Sequence, residues 1–178
     1  MSPAYLTATA GTNDSTTYTS TSALTVTPVV GNGTKTSFFV LRHVAYENTA
    51  STQYTLKLPT SAGTLSIPAL GGSLTLNGRD SKIHVTDYDV GGTTLLYSTA
   101  EVFTWKKFTS KTVLILYGGP GELHETAIKS TSSPVTIEGT GVTTKSASGT
   151  VTLQWTTSAT RRIVQLGTVY IYLLGKFS

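Results

Sequence analysis

Three groups of polar residues could do chemistry. Asp87 and Asp89 are two residues apart, which puts both on one face if the segment is a strand. Paired carboxylates are what glycoside hydrolysis needs. Catalytic pairs usually stand on different strands across a cleft, however. Here the pair runs into Gly91-Gly92, where aspartates at a strand end accept backbone hydrogen bonds. The run Asp87 to Gly91 also suggests a calcium loop, but it lacks the third oxygen ligand and the closing glutamate.

The second group is Glu122-Leu123-His124-Glu125. On a strand Glu122 and His124 share a face and Glu125 opposes them. The spacing is not that of a His-Glu-x-x-His zinc helix. The other histidines, His43 and His84, each sit inside a strand pattern and read as hydrogen-bonded rather than metal-bound. The chain has no cysteine, so it has no disulfide framework and no thiolate site. Gly118-Gly119-Pro120-Gly121 joins two strand-like segments. It reads as a hairpin turn, because a phosphate loop needs a helix N-terminus behind it. There is no nucleophile elbow either. These readings give no catalytic residue, no cofactor and no metal.

The third group is aromatic. Phe103 and Trp105 alternate, which puts both on one strand face, and Trp155 follows Leu153 at the same spacing. Aromatic platforms on β-sheets can stack on sugar rings, so carbohydrate is a possible partner. Apolar neighbours on the same face favour core positions for both tryptophans.

The elements that position these residues are strands. Charged residues make up 12% of the 178 residues, about half the usual share. Thr and Ser take their place, and β-formers dominate. Period-2 alternation runs through 24–27, 53–58, 64–67, 73–76 and 82–88. It continues through 93–98, 101–108, 112–117, 122–128, 135–138, 151–155, 161–166 and 169–174. The apolar start of 38–46 reads as a strand buried on both faces. Residues 7–22 read as a loose arm or an edge hairpin. Asn77-Gly78 is the strongest hairpin signal. Turns recur every 8 to 12 residues or so, which suits an antiparallel sandwich. No 3.6-residue period lasts ten residues, and neither an exact repeat nor a linker is present.

The net charge of +4 is modest. Only Lys106-Lys107 and Arg161-Arg162 are adjacent cations, and strand neighbours point to opposite faces. Nucleic acid is therefore not an expected partner. No apolar run approaches the ~20 residues of a membrane helix. Met1 to Ala4 has neither the basic nor the apolar region of a signal peptide. Asn13-Asp14-Ser15 and Asn32-Gly33-Thr34 are sequons in loop-like segments, which makes Asn13 and Asn32 candidate N-glycosylation sites.

Four segments carry a resemblance. They are the run from Leu74 to Tyr88, the run from Leu96 to Phe108, Leu116-Tyr117-Gly118-Gly119-Pro120-Gly121-Glu122, and Arg161-Arg162-Ile163-Val164-Gln165. In that order they are similar to the large fungal β-galactosidases of glycoside hydrolase family 35. The resemblance runs from about Ser2-Pro3 to Leu174 and is strongest between Leu70 and Ile128. It implies the second, all-β, non-catalytic domain of those multidomain enzymes. In the family the two catalytic glutamates lie in a separate (β/α)₈ barrel, and no position here matches them. The implied architecture is a hairpin region over 1–92 and an immunoglobulin-like subdomain over 93–178, together one domain. The family's short C-terminal helix would lie beyond this sequence. The implied partners are the catalytic barrel and later domains of a parent enzyme, and the implied location is extracellular. The alternative is a free-standing carbohydrate-binding module. A domain of this kind should also carry an apolar patch, expected around Tyr5-Leu6 and along 169–174.

Overall fold

The structure is a computed structural model and describes residues 6–175. Its seventeen named elements are all β-strands. Among the described residues no helix is long and apolar enough to cross a membrane. The chain divides into two compact units, Met1–Tyr88 and Asp89–Ser178.

In the first unit, β1 (Thr9–Ala10), β2 (Leu24–Val30), β3 (Ser37–His43) and β8 (Ser81–Val90) lie side by side. β2 and β3 pair from Leu24↔His43 to Val30↔Ser37, and β3 pairs with β8 from Ser37↔Thr86 to Arg42↔Ser81. Leu24, Val26, Phe39 and Leu41 supply the buried face. β4 (Thr52–Tyr54) pairs with β7 (Leu74–Leu76), and β5 (Leu56–Thr60) with β6 (Gly63–Ile67). Tyr54, Leu56, Leu58, Ile67, Leu74 and Leu76 are buried in turn. Burying each such side chain stabilises the fold by about 1.5–3 kcal/mol.

Two expectations are corrected here. Asn77-Gly78 does make a turn, with Asp80 N–H donating to Asn77 C=O at 2.9 Å and Gly78 at φ 48°. The strands on either side do not pair with each other, though. β7 pairs with β4 and β8 with β3. The turn residues fix the local bend, while the longer-range partners bury more apolar surface. The apolar run 38–46 is not buried on both faces throughout: Val40 is half-buried, Arg42 is exposed, and the strand stops at His43. Of the two readings of 7–22, the edge pairing is the one found: β1 pairs antiparallel with β2 at the edge of the sheet. Asp14 and Val26 exchange backbone hydrogen bonds at 2.9 and 2.7 Å. Lys57 N–H reaches Tyr18 C=O at 2.9 Å, and the Tyr18 ring lies 5.3 Å from that of Phe39.

The second unit is a sandwich-like pair of sheets. In one, β9 (Thr93–Ser98), β12 (Leu123–Lys129), β15 (Thr150–Thr156) and β14 (Val142–Ala147) run in that order. In the other the order is β10 (Glu101–Lys107), β11 (Thr112–Gly118), β17 (Val169–Gly175), β16 (Arg162–Leu166) and β13 (Pro134–Glu138). Alternation sets the faces. Leu114, Leu116, Ile171, Leu173, Val164 and Leu166 point inward from the five-stranded sheet, and Val151, Leu153, Trp155 and Ile128 are buried on the other.

One pairing departs from the antiparallel expectation. β11 and β17 are parallel, from Thr112↔Val169 to Gly118↔Gly175. No hairpin links these strands, so turn geometry does not dictate their direction. Similarly, Gly118–Gly121 is not a hairpin turn. β11 pairs with β10 and β17, and β12 with β9 and β15, so this turn carries the chain from one sheet to the other.

Candidate functional site

The densest cluster of ionisable groups lies at that crossing. The turn places Glu122 just before β12, and strand alternation sends His124 and Glu125 to opposite faces. His124 lies across from Trp155 and Glu125 across from Gln154. Glu122 is wrapped by its own turn. Its Oε2 accepts from Gly119 N–H at 2.7 Å and from His124 Nε2–H at 3.1 Å. Its backbone N–H donates to Thr157 Oγ1 at 3.0 Å. The Thr157 hydroxyl in turn donates to Gly119 C=O. His124 Nδ1 lies 3.3 Å from Thr99 Oγ1, and the imidazole packs on Trp155 with centroids 5.9 Å apart.

Glu125 is fully buried, at 0% exposure. Its two oxygens accept from Tyr97 OH at 2.7 Å and Gln154 Nε2 at 3.1 Å. Burial, and then the neighbouring carboxylate, push the Tyr97 hydroxyl far above the ordinary tyrosine range. Such a phenol keeps its proton as a hydrogen-bond donor at any physiological pH. The whole cluster sits under packed side chains and its hydrogen bonds run to its own neighbours. It can order the crossing of the chain between sheets, but it presents no carboxylate to a substrate.

The aspartates also bond to their own neighbours, although Asp87 is half-buried and Asp89 exposed. Asp87 stands at φ 49° and accepts from the Ser61 hydroxyl and from Ser61 N–H at 2.7 Å. Asp89 Oδ1 accepts from Gly92 N–H at 2.9 Å. His84 Nε2 lies 3.1 Å from Tyr54 OH, and His43 Nε2 lies 2.9 Å from Thr52 Oγ1. Among the described residues no three His, Asp or Glu side chains gather as a metal site would require. A shallow depression between residues 130–133 and 146–150 is lined only by Ser, Thr, Ala and Gly, so it holds no acid or base.

The aromatic group divides. Trp155 is core, at 2% exposure. Phe103 and Trp105 do not share a face, contrary to their spacing. The register slips between Val102 and Thr104, so Phe103 is the extra residue of a bulge. Trp105 lies across from inward-facing Leu114 but is only half-buried, short of the core position expected of it. Phe103 is 71% exposed and meets Tyr117 edge-on at 6.0 Å. Glu101 accepts from Tyr117 OH, and this bond, with some burial, pushes the Tyr117 hydroxyl up to about 12.

Asn13 and Asn32 are both exposed in loops. Asn13 Oδ1 accepts from the Thr27 hydroxyl, and Asn32 Nδ2 donates to Thr9 Oγ1 at 3.3 Å. Of the expected apolar patch, Leu6 is exposed and Tyr5 lies outside the described residues. The 169–174 strand splits by alternation. Val169, Ile171 and Leu173 are core, while Tyr170, Tyr172 and Leu174 are half-buried on the outer face. Sequence reasoning missed β14 and the bulge at Phe103. β14 reads Val-Thr-Thr-Lys-Ser-Ala, with too little hydrophobic contrast to reveal its alternation.

Comparison with known proteins finds a family described as "Beta-galactosidase, domain 2", which matches residues 6–178. The chain is 59% identical to a probable beta-galactosidase A of Emericella nidulans, over 99% of its own length and 18% of that relative's. It is 55% identical to beta-galactosidase A of a Penicillium species, with 100% and 18% covered. Against beta-galactosidase A of Aspergillus niger the identity is 56%, with the same coverage. The chain thus spans less than a fifth of the length of these curated relatives.

Proposed function

Because the chain belongs to the β-galactosidase domain 2 family, we propose that it is a non-catalytic structural module of a secreted fungal β-galactosidase of glycoside hydrolase family 35. In this reading it supports a catalytic barrel elsewhere in the polypeptide, and its second unit is an immunoglobulin-like subdomain. The observation that carries the reading is the state of the carboxylates. Glu122, Glu125, Asp87 and Asp89, the acids whose spacing invited a catalytic role, are each engaged by neighbours in the chain. A retaining or inverting glycosidase needs two carboxyl groups facing one open cleft.

The purified chain is expected to hydrolyse an aryl β-galactoside no faster than buffer. Turnover that disappears in Glu122→Gln or Glu125→Gln would overturn the reading. Use of the two sequons is tested separately. Passage through a fungal secretory pathway should add glycan at Asn13 and Asn32, seen as mass that an N-glycosidase removes and that Asn13→Gln and Asn32→Gln each reduce. Protein recovered from the medium with neither site modified would count against their use.

A further inference from the structure

The five-stranded sheet of the second unit has two faces, and only one is accounted for by the sandwich core. The register fixes what stands on the other. β11 contributes Val113, Ile115 and Tyr117, and β17 contributes Tyr170, Tyr172 and Leu174, paired in that order across the parallel ladder. All six are half-buried, whereas their inward neighbours are buried. These are the two inner strands nearest β10, so the residues form a continuous apolar surface rather than scattered exposed side chains. Charge stands around it. Lys111 places its ammonium 5.6 Å from the centroid of the Tyr170 ring, Glu101 bonds Tyr117 OH, and Arg161 forms a bidentate pair with Glu138 at 3.0 and 2.6 Å. An apolar centre with a paired, charged rim is the anatomy of a protein interface.

We infer that this outer face is covered by an apolar surface of another domain of the same parent polypeptide. The inference rests on the proposed role as a module of a larger enzyme. Three observations favour this occupant. The relatives have more than four-fifths of their length outside the region that this chain matches, so there is protein to cover the face. Five strands about 4.8 Å apart, three of seven residues and two of five, give a face on the order of 500 Å², comparable with one side of an interdomain contact. The centre of the face is half aliphatic, and its Tyr117 hydroxyl already serves Glu101.

The test is hydroxyl-radical footprinting of the full-length polypeptide and of the 178-residue chain. Tyr170 and Tyr172 are expected to label at least fivefold more slowly in the full-length protein. Equal labelling in the two would overturn the inference. So would slowing of Tyr172 labelling in the short chain by galacto-oligosaccharide, which would make the face a carbohydrate platform. A second arm needs only the full-length protein. Tyr172→Glu puts a charge into the contact and is expected to lower its thermal midpoint. An unchanged midpoint would also overturn the inference. Neither arm depends on the hydrolysis assay. Activity in the isolated chain would remove the structural role without altering tyrosine protection, and exposed tyrosines would remove the interface without conferring activity.

Discussion

Replacing Gly118 with alanine is expected to lower the unfolding free energy by about 3–5 kcal/mol. Gly118 ends β11 on its inward face, and a β-carbon there would stand 2.0 Å from His124 Nε2. The imidazole cannot give way cheaply. It is buried, stacked near Trp155 and bonded to the Glu122 carboxylate. Moving it leaves a buried carboxylate short of a donor, which costs more than the steric contact alone. The adjacent Gly119 is constrained for the same reason, since its β-carbon would meet Glu122 Oε1 at 2.6 Å. Gly121 differs: nothing lies within 4 Å of its β-position, and alanine there is opposed only by its φ of 71°, about 1 kcal/mol. Urea denaturation followed by tryptophan fluorescence, from Trp105 and Trp155 together, measures all three. The cost of Gly118→Ala should shrink by at least about 2 kcal/mol in a His124→Ala background. A Gly118→Ala protein within about 0.5 kcal/mol of the parent, or a cost unchanged by His124→Ala, would refute the contact as the cause.

Alkaline conditions are expected to destabilise the second unit through Tyr97. In the unfolded chain this phenol ionises near pH 10. In the folded chain burial and Glu125 hold the proton on well beyond that. The native state therefore binds more protons than the unfolded state above pH 10, and stability falls as pH rises. The slope from one such group is about 1.4 kcal/mol per pH unit. Below pH 10 the contribution is fully present. Tyr117, raised to about 12, adds in the same direction, but its half-exposed hydroxyl is screened by water and adds less. In Tyr97→Phe the alkaline slope should flatten by about 1.4 kcal/mol per pH unit. Stability at neutral pH should drop by about 1.5–3 kcal/mol, because the buried carboxylate loses a close donor. Absorbance at 295 nm should show one tyrosine that ionises only on unfolding and is missing from Tyr97→Phe. A Tyr97→Phe protein with an unaltered alkaline slope would disprove the assignment.

Much of this could be read from residue order, because alternation is a local property. Thr-, Val- and Tyr-rich runs with period 2 can only bury one face as strands, so the all-β class follows from composition and spacing. The same alternation puts His124 and Glu125 on opposite sides of β12, and it divides 169–174 into Val169, Ile171 and Leu173 inward and Tyr170, Tyr172 and Leu174 outward. Glu122 to Glu125 could be seen as a polar cluster. Its engagement could not, since the groups that bond it, Gly119, Thr99, Tyr97, Gln154 and Thr157, come from several separate segments.

Tertiary structure decided which strand lies beside which. Asn77-Gly78 bends the chain as its residues require, yet β7 and β8 leave each other for β4 and β3. β11 and β17 run parallel because no short connection forces them to oppose. Trp105 turns to the face opposite Phe103 because one extra residue in β10 relative to β11 breaks the count between them, and no residue type announces a bulge. A strand's side-chain pattern specifies the face it must bury, and any neighbour of the right width can help bury it. The choice among neighbours rests on the total apolar area covered by the whole assembly, which no window of the sequence contains.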